Sequence, residues 1–219
     1  MATKKSTITK EKIVSMYMNY ALENNDKPKS VYHFAKMNHF SEAEFYIYFG
    51  TMESVEQEIF KIFLEKTVEL LQKDQDYATY DMKSKILSFY FTFFELLAAN
   101  RSYVTLSLKQ HRNELKNLMQ LSSLRNSFKN YVAAIISDEY RIKLEKFQNF
   151  QEKAIQEMSW IQLLFTIKFW LEDSSPAFEK TDLYIEKSVK ATFELMDITP
   201  IDSLIDFGKF IFKEKIYKK

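Results

Sequence analysis

The chain has 219 residues, room for one large domain or for a small domain followed by a larger one, and either could bury a core. Two glycines, three prolines and no cysteine exclude glycine-rich phosphate loops, disulfides and thiol chemistry, and predict an all-α fold. The formal net charge of +1 gives none of the basic excess expected of many nucleic-acid binders.

Residues 1–8 read as a basic arm carrying Lys4 and Lys5, with no apolar signal region behind it. A first helix is predicted over about 9–25, with Ile13, Tyr17, Tyr20 and Ala21 on one stripe. A loop through Pro28 leads to Ser30, which caps a short second helix ending near Met37. Asn38, His39 and Phe40 form a turn. Ser41 and Glu44 then stand three apart as a capping box and open a third helix, which runs to about Tyr48. Gly50 offers a left-handed residue at its end. Two short helices about a tight turn are the pattern of a helix-turn-helix.

Thr51 caps a long fourth helix to about Lys73, with Val55, Ile59, Ile62, Phe63 and Leu70 as its apolar stripe. After a polar break at 74–76, helical patterns cover about 81–99, 101–109, 113–138, 143–172, 177–197 and 201–216. Ser175-Pro176 and Thr199-Pro200 each place a cap residue before a proline suited to a first helical position. The run 158–171 is apolar on nearly every face and must be covered all round. Gln162 and Lys168 break it, and it is shorter than the ~20 residues of a bilayer span, so no membrane partner is expected. The lack of cysteine fits a reducing cytoplasm. In the last segment, Ile201, Leu204, Ile205, Gly208, Ile211 and Phe212 form a stripe expected to dock on the larger domain.

Residues 13–55 resemble the DNA-binding domain of the tetracycline-repressor (TetR) family. The resemblance rests on Ile13-Val14, Ser30-Val31, Phe34-Ala35, Phe40-Ser41, Phe45-Tyr46, Tyr48-Phe49, Glu53 and Val55, all in register. It implies a helix-turn-helix domain over 1–50 and a helical dimerisation and ligand-binding domain over 51–219. It also implies a homodimer that binds a double-stranded DNA operator and answers to an apolar small molecule. Lys29, Ser30, Ser41, Glu42, Ala43, Glu44, Tyr46, Ile47 and Tyr48 stand at the positions expected to face DNA.

Several positions depart from the family pattern. Met16 and Tyr17 followed by Ala21 exchange large for small across one helical turn. Asn25 and His39 replace the two usual glycines, and both residue types tolerate positive φ. Glu42 replaces a basic residue, Glu44 a small hydroxyl, and Met52 a phosphate-touching lysine. No Lys or Arg lies between Met37 and Phe60. Basic help would come from Lys4, Lys5, Lys10, Lys12, Lys27, Lys29 and Lys36. The alternative is a protein of this fold that has lost DNA binding and holds an apolar ligand or a protein partner.

Phe89, Phe93, Phe128, Tyr131 and Phe165 could line an apolar pocket, or simply fill core. Tyr90, Tyr103 and His111 could orient a ligand there. The resemblance places the dimer interface on the 158–171 helix and the next, with Trp160, Leu164, Ile167, Val189, Phe193 and Met196 as candidates. His33, His39 and His111 are not spaced as metal ligands, and no catalytic constellation is visible. No metal, no cofactor and no enzymatic activity are therefore expected.

Overall fold

Thr9 accepts the backbone N–H of Lys12 at 3.3 Å and starts the first helix, α1, Lys10–Asn24. The computed structural model describes residues 8–109, 120–136 and 148–198. Within them follow α2 (Val31–Met37), α3 (Glu42–Tyr46), α4 (Met52–Gln72), α5 (Met82–Ala99), α6 (Arg101–Lys109), α7 (Ser122–Ile135), α8 (Gln148–Glu172) and α9 (Glu179–Ile198). Short 3-10 turns lie at Tyr77–Thr79 and Pro176–Phe178, and the described residues contain no strand. The all-α expectation holds.

The chain packs as two compact units. Met1–Glu69 joins Phe93–Ser127 in one, and Leu70–Thr92 joins Phe128–Lys219 in the other. The first unit is organised around Phe34, which is fully buried. Its ring meets those of Tyr17, Phe40 and Phe45 edge to face at 6.2, 5.7 and 6.4 Å. Each such ring contributes roughly 1.5–3 kcal/mol by leaving water. Tyr17 is buried beside Ala21, so the large-for-small exchange in α1 is accommodated within the core. α6 packs along α1 and buries Tyr103 and Val104.

The α4 stripe differs from expectation at its far end. Leu70 is exposed, whereas Leu71 and Thr67 are buried and Ile62 is half-buried. The helix is long enough for the 3.6-residue period to drift, which carries the inward face off the predicted stripe. Gly50 is not left-handed. The α3 end closes instead with the N–H groups of Tyr48 and Phe49 both reaching the Phe45 carbonyl at 3.0 Å.

In the second unit α8 buries Leu163, Ile167 and the full indole of Trp170, while Trp160 is also buried. α9 buries Ile185 and Val189. Gln162 bonds Ser188 at 3.3 Å and Thr192 at 3.2 Å, and Phe169 stacks on Tyr184 at 4.6 Å, so the two helices run antiparallel. Their corner is held by Asp173. One carboxylate oxygen accepts from the backbone N–H and hydroxyl of Ser175 at 2.8 and 2.7 Å. The other accepts from the N–H and hydroxyl of Thr181 at 3.0 and 2.7 Å. Pro176 does not open α9 as expected. It opens the 3-10 turn, and Ala177 and Phe178 then take left-handed φ of 50° and 60°. The α9 helix proper starts at Glu179, because the Asp173 bonds to Ser175 and Thr181 fix where the chain turns.

Candidate nucleic-acid interface

α2 begins where Ser30 accepts the N–H of His33 at 3.1 Å. It ends in a Schellman turn. Phe40 N–H reaches the Ala35 carbonyl at 3.1 Å, His39 N–H reaches that of Lys36 at 3.4 Å, and His39 holds φ at 60°. Asn25 ends α1 in the same left-handed region, at φ 50°. Both glycine replacements thus adopt the conformation a glycine would have supplied.

α3 opens on the capping box predicted for Ser41 and Glu44. The Glu44 carboxylate accepts from the Ser41 N–H and hydroxyl, each at 2.8 Å, and Ser41 accepts the Glu44 N–H at 3.3 Å. The Glu44 side chain is therefore consumed in holding the helix start. Phe45 and Phe49 point inward and are buried. The opposite face carries Ala43 and Ile47, with Tyr46 and Glu42 beside them, all four spaced to share one side of the helix. Ile47 is 72% exposed and Tyr46 54%. Lys29 and Ser30 are exposed at the entry to α2.

Tyr48, expected to face DNA, is exposed and also makes an internal bond. Its hydroxyl donates to the carbonyl of Ile8 at 3.2 Å, and Ile8 is buried. The end of the recognition segment thus fixes the point where the chain enters the domain, and Ile8 belongs to the core rather than to the arm. Lys4, Lys5 and the rest of 1–7 lie outside the described residues.

Several internal ties limit the cations available here. Lys10 pairs with Glu58 on α4, and Lys27 with Glu53 at 3.5 Å. Lys36 sits over the Tyr32 ring at 5.7 Å. Met52, at the position of the usual lysine, is buried, so its side chain has joined the core instead of facing solvent. Beneath the surface, the Tyr17 hydroxyl donates to the buried Glu56 carboxylate and ties α1 to α4. Burial and the neighbouring carboxylate push the Tyr17 hydroxyl well above the usual phenol range, so it remains a donor. The Lys10–Glu58, Tyr17–Glu56 and Tyr48–Ile8 ties join residues 39 to 48 apart in sequence, and no local pattern announces them.

Residues 85–211 match the family described as tetracyclin repressor-like, C-terminal domain, which covers more than half of the chain. The chain belongs to the TetR family. A search of curated proteins finds no match. TetR-family proteins are regulators rather than enzymes. Among the described residues there is no group of acidic, His or Cys side chains able to hold a metal, and no helix long and apolar enough to cross a membrane.

The matched TetR region holds the other predicted sites. Phe89, Phe128 and Tyr131 come together. Phe89 meets Tyr131 at 4.7 Å and Phe128 at 5.1 Å, ring centre to ring centre. Tyr131 also shares a hydroxyl contact of 2.7 Å with Tyr77 and donates to the Lys85 carbonyl at 3.1 Å. Phe93 is buried in the other unit, beside the ring of Phe94. Phe165 does not join the cluster: it is 59% exposed. Trp160, Ile167, Val189 and Phe193 are covered within the chain itself, and Leu164 is half-buried. The outward α8 residues are instead Met158, Ile161 and Phe165, with Leu183 on α9. A helix apolar all round does not announce which side its own chain will cover. His111, Met196, Pro200 and the segment 201–216 fall outside the described side chains.

Proposed function

We propose that the protein is a TetR-family transcriptional regulator that binds a double-stranded operator through α2 and α3 of residues 1–50. Residues 51–219 dimerise and hold an apolar effector, which weakens DNA binding. The observation that carries this reading is α3 itself. It is capped at Ser41, seated by Phe45 and Phe49, and presents Ala43, Tyr46 and Ile47 outward. The dimer reading is supported by the outward apolar row Met158, Ile161 and Phe165. The effector reading rests on the family; Phe89, Phe128 and Tyr131 pack ring against ring as core.

Full-length protein incubated with a random duplex pool at low salt should retain and enrich a two-fold symmetric sequence. Lys29 and Lys36 stand outside the ion pairs given above. If they carry the phosphate contacts, log affinity should fall against log salt with a slope of only about −4 per dimer. An effector should both raise the melting temperature and release the enriched duplex. A compound that does the first without the second would count against coupling.

A second reading is a TetR-fold protein that no longer binds DNA and serves as a ligand-binding or partner-binding module. It is favoured by the outward Glu42, the engaged Lys10 and Lys27, and the buried Met52. No retained duplex at low salt would establish it over the first.

A further inference from the structure

The outward face of α3 has an unusual chemical inventory for a groove-reading helix. Opposite the buried Phe45 stand Ala43 and Ile47, flanked by Glu42 and Tyr46. None of them is Arg, Lys, Asn or Gln. Guanine is read in the major groove by paired donors to O6 and N7, and adenine by an amide that both donates and accepts. Neither tool is on this face. Three kinds of group remain: aliphatic carbon, which suits the thymine methyl; the Tyr46 hydroxyl, which can both donate and accept and so discriminates little; and a carboxylate, which accepts from the cytosine N4 amino group.

The structure decides which carboxylate is available. Glu44 already accepts two bonds from Ser41 on one oxygen and holds the helix start. Glu42, half-buried on the first turn, makes no such cap contact. A carboxylate pushed into a groove without a donor opposite it is heavily penalised. Glu42 would therefore reject thymine O4 and guanine O6 and accept from an exocyclic amino group, cytosine N4 ahead of adenine N6, because adenine sets the N7 acceptor beside its amino group. The same scarcity of cations on α3 that argues against strong phosphate binding leaves base contacts a larger share of the affinity.

We propose that α3 reads pyrimidine edges: Ala43 and Ile47 contact thymine methyl groups, and Glu42 accepts from the N4 amino group of one cytosine in each half-site. This rests on the operator-binding reading above and adds the base chemistry to it.

The test uses full-length protein and duplexes enriched from a random pool at low salt. Each thymine of the enriched half-site is then replaced by deoxyuridine, which removes only the methyl and leaves the protein untouched. Uracil at the contacted positions should weaken binding about three- to tenfold. Ile47→Ala should abolish much of that difference between thymine and uracil. Because Ile47 is exposed, this variant should fold as the parent does. Replacing the critical C·G pair should cost about tenfold or more. Glu42→Gln should move the preference at that position towards adenine, since the amide can both donate and accept. A retained duplex that is indifferent to uracil, or a half-site built on guanines contacted by α3, overturns the proposal while leaving DNA binding intact. If no duplex is retained at low salt, the proposal and the operator reading fall together.

Discussion

His39 holds its backbone at φ 60° in the turn between α2 and α3. A side chain there costs roughly 1 kcal/mol relative to glycine. His39→Gly should accordingly raise the unfolding free energy by about 0.5–1 kcal/mol, read as a higher denaturant midpoint, while leaving the α3 start in place, and a loss of stability would show that the imidazole makes a contact worth more than the strain. That turn was legible in the sequence because its requirements are local. Ser41 and Glu44 are three residues apart, and the need for positive φ falls on one position. The Lys10–Glu58 pair, the Tyr17–Glu56 bond and the anchoring of Ile8 by Tyr48 were not legible. Each joins residues that only the folded chain brings together, and Lys10 read as a free cation for that reason. Met52 shows the same limit from the other side. Its position in the pattern suggested a lost phosphate contact, whereas burial decides that it is a core residue.

The turn between α8 and α9 depends on one carboxylate. Burial by itself would raise the Asp173 carboxyl, but the hydroxyls and backbone N–H groups of Ser175 and Thr181 outweigh it and hold the group at about 2. The folded value lies below the unfolded one, so its contribution is complete above about pH 4 and is lost as pH falls towards about 2. Asp173→Ala should lose stability at pH 7 in chemical denaturation, and the gap between parent and variant should narrow below about pH 3. A gap independent of pH would mean that packing, not charge, holds the corner. In the same turn Ala177 sits at φ 50°. Ala177→Gly should stabilise the protein by about 0.5–1 kcal/mol, read as a higher melting temperature. A helix start near Pro176 was legible, but this strained turn was not. Ser-Pro fits a first helical position so well that local preference hid the tertiary demand at Asp173.

For the whole molecule, the all-α architecture followed from composition, and the helix-turn-helix from a register of matched positions. Which side of the 158–171 helix faces outward did not follow, since nearly every side is apolar and the packing of α9 and of Phe128 on α7 selects one. That selection moves the expected partner face to Met158, Ile161 and Phe165. The dimer proposed above would bury more than ~2,000 Å² in total. Phe165→Glu should give a monomer in light scattering at micromolar concentration with its helical circular dichroism unchanged. An unaltered dimer would place the interface elsewhere. The distribution of the indoles has a practical outcome for such experiments. The two tryptophans of the sequence, Trp160 and Trp170, lie buried in the second unit, while α1, α2 and α3 carry only tyrosine and phenylalanine as fluorophores. Emission excited at 295 nm is thus expected to track one unit and to be largely silent when the α1–α3 end loosens. A single Ile47→Trp exchange at the exposed tip of that end would make its opening, or its burial against a duplex, visible as a shift in emission colour.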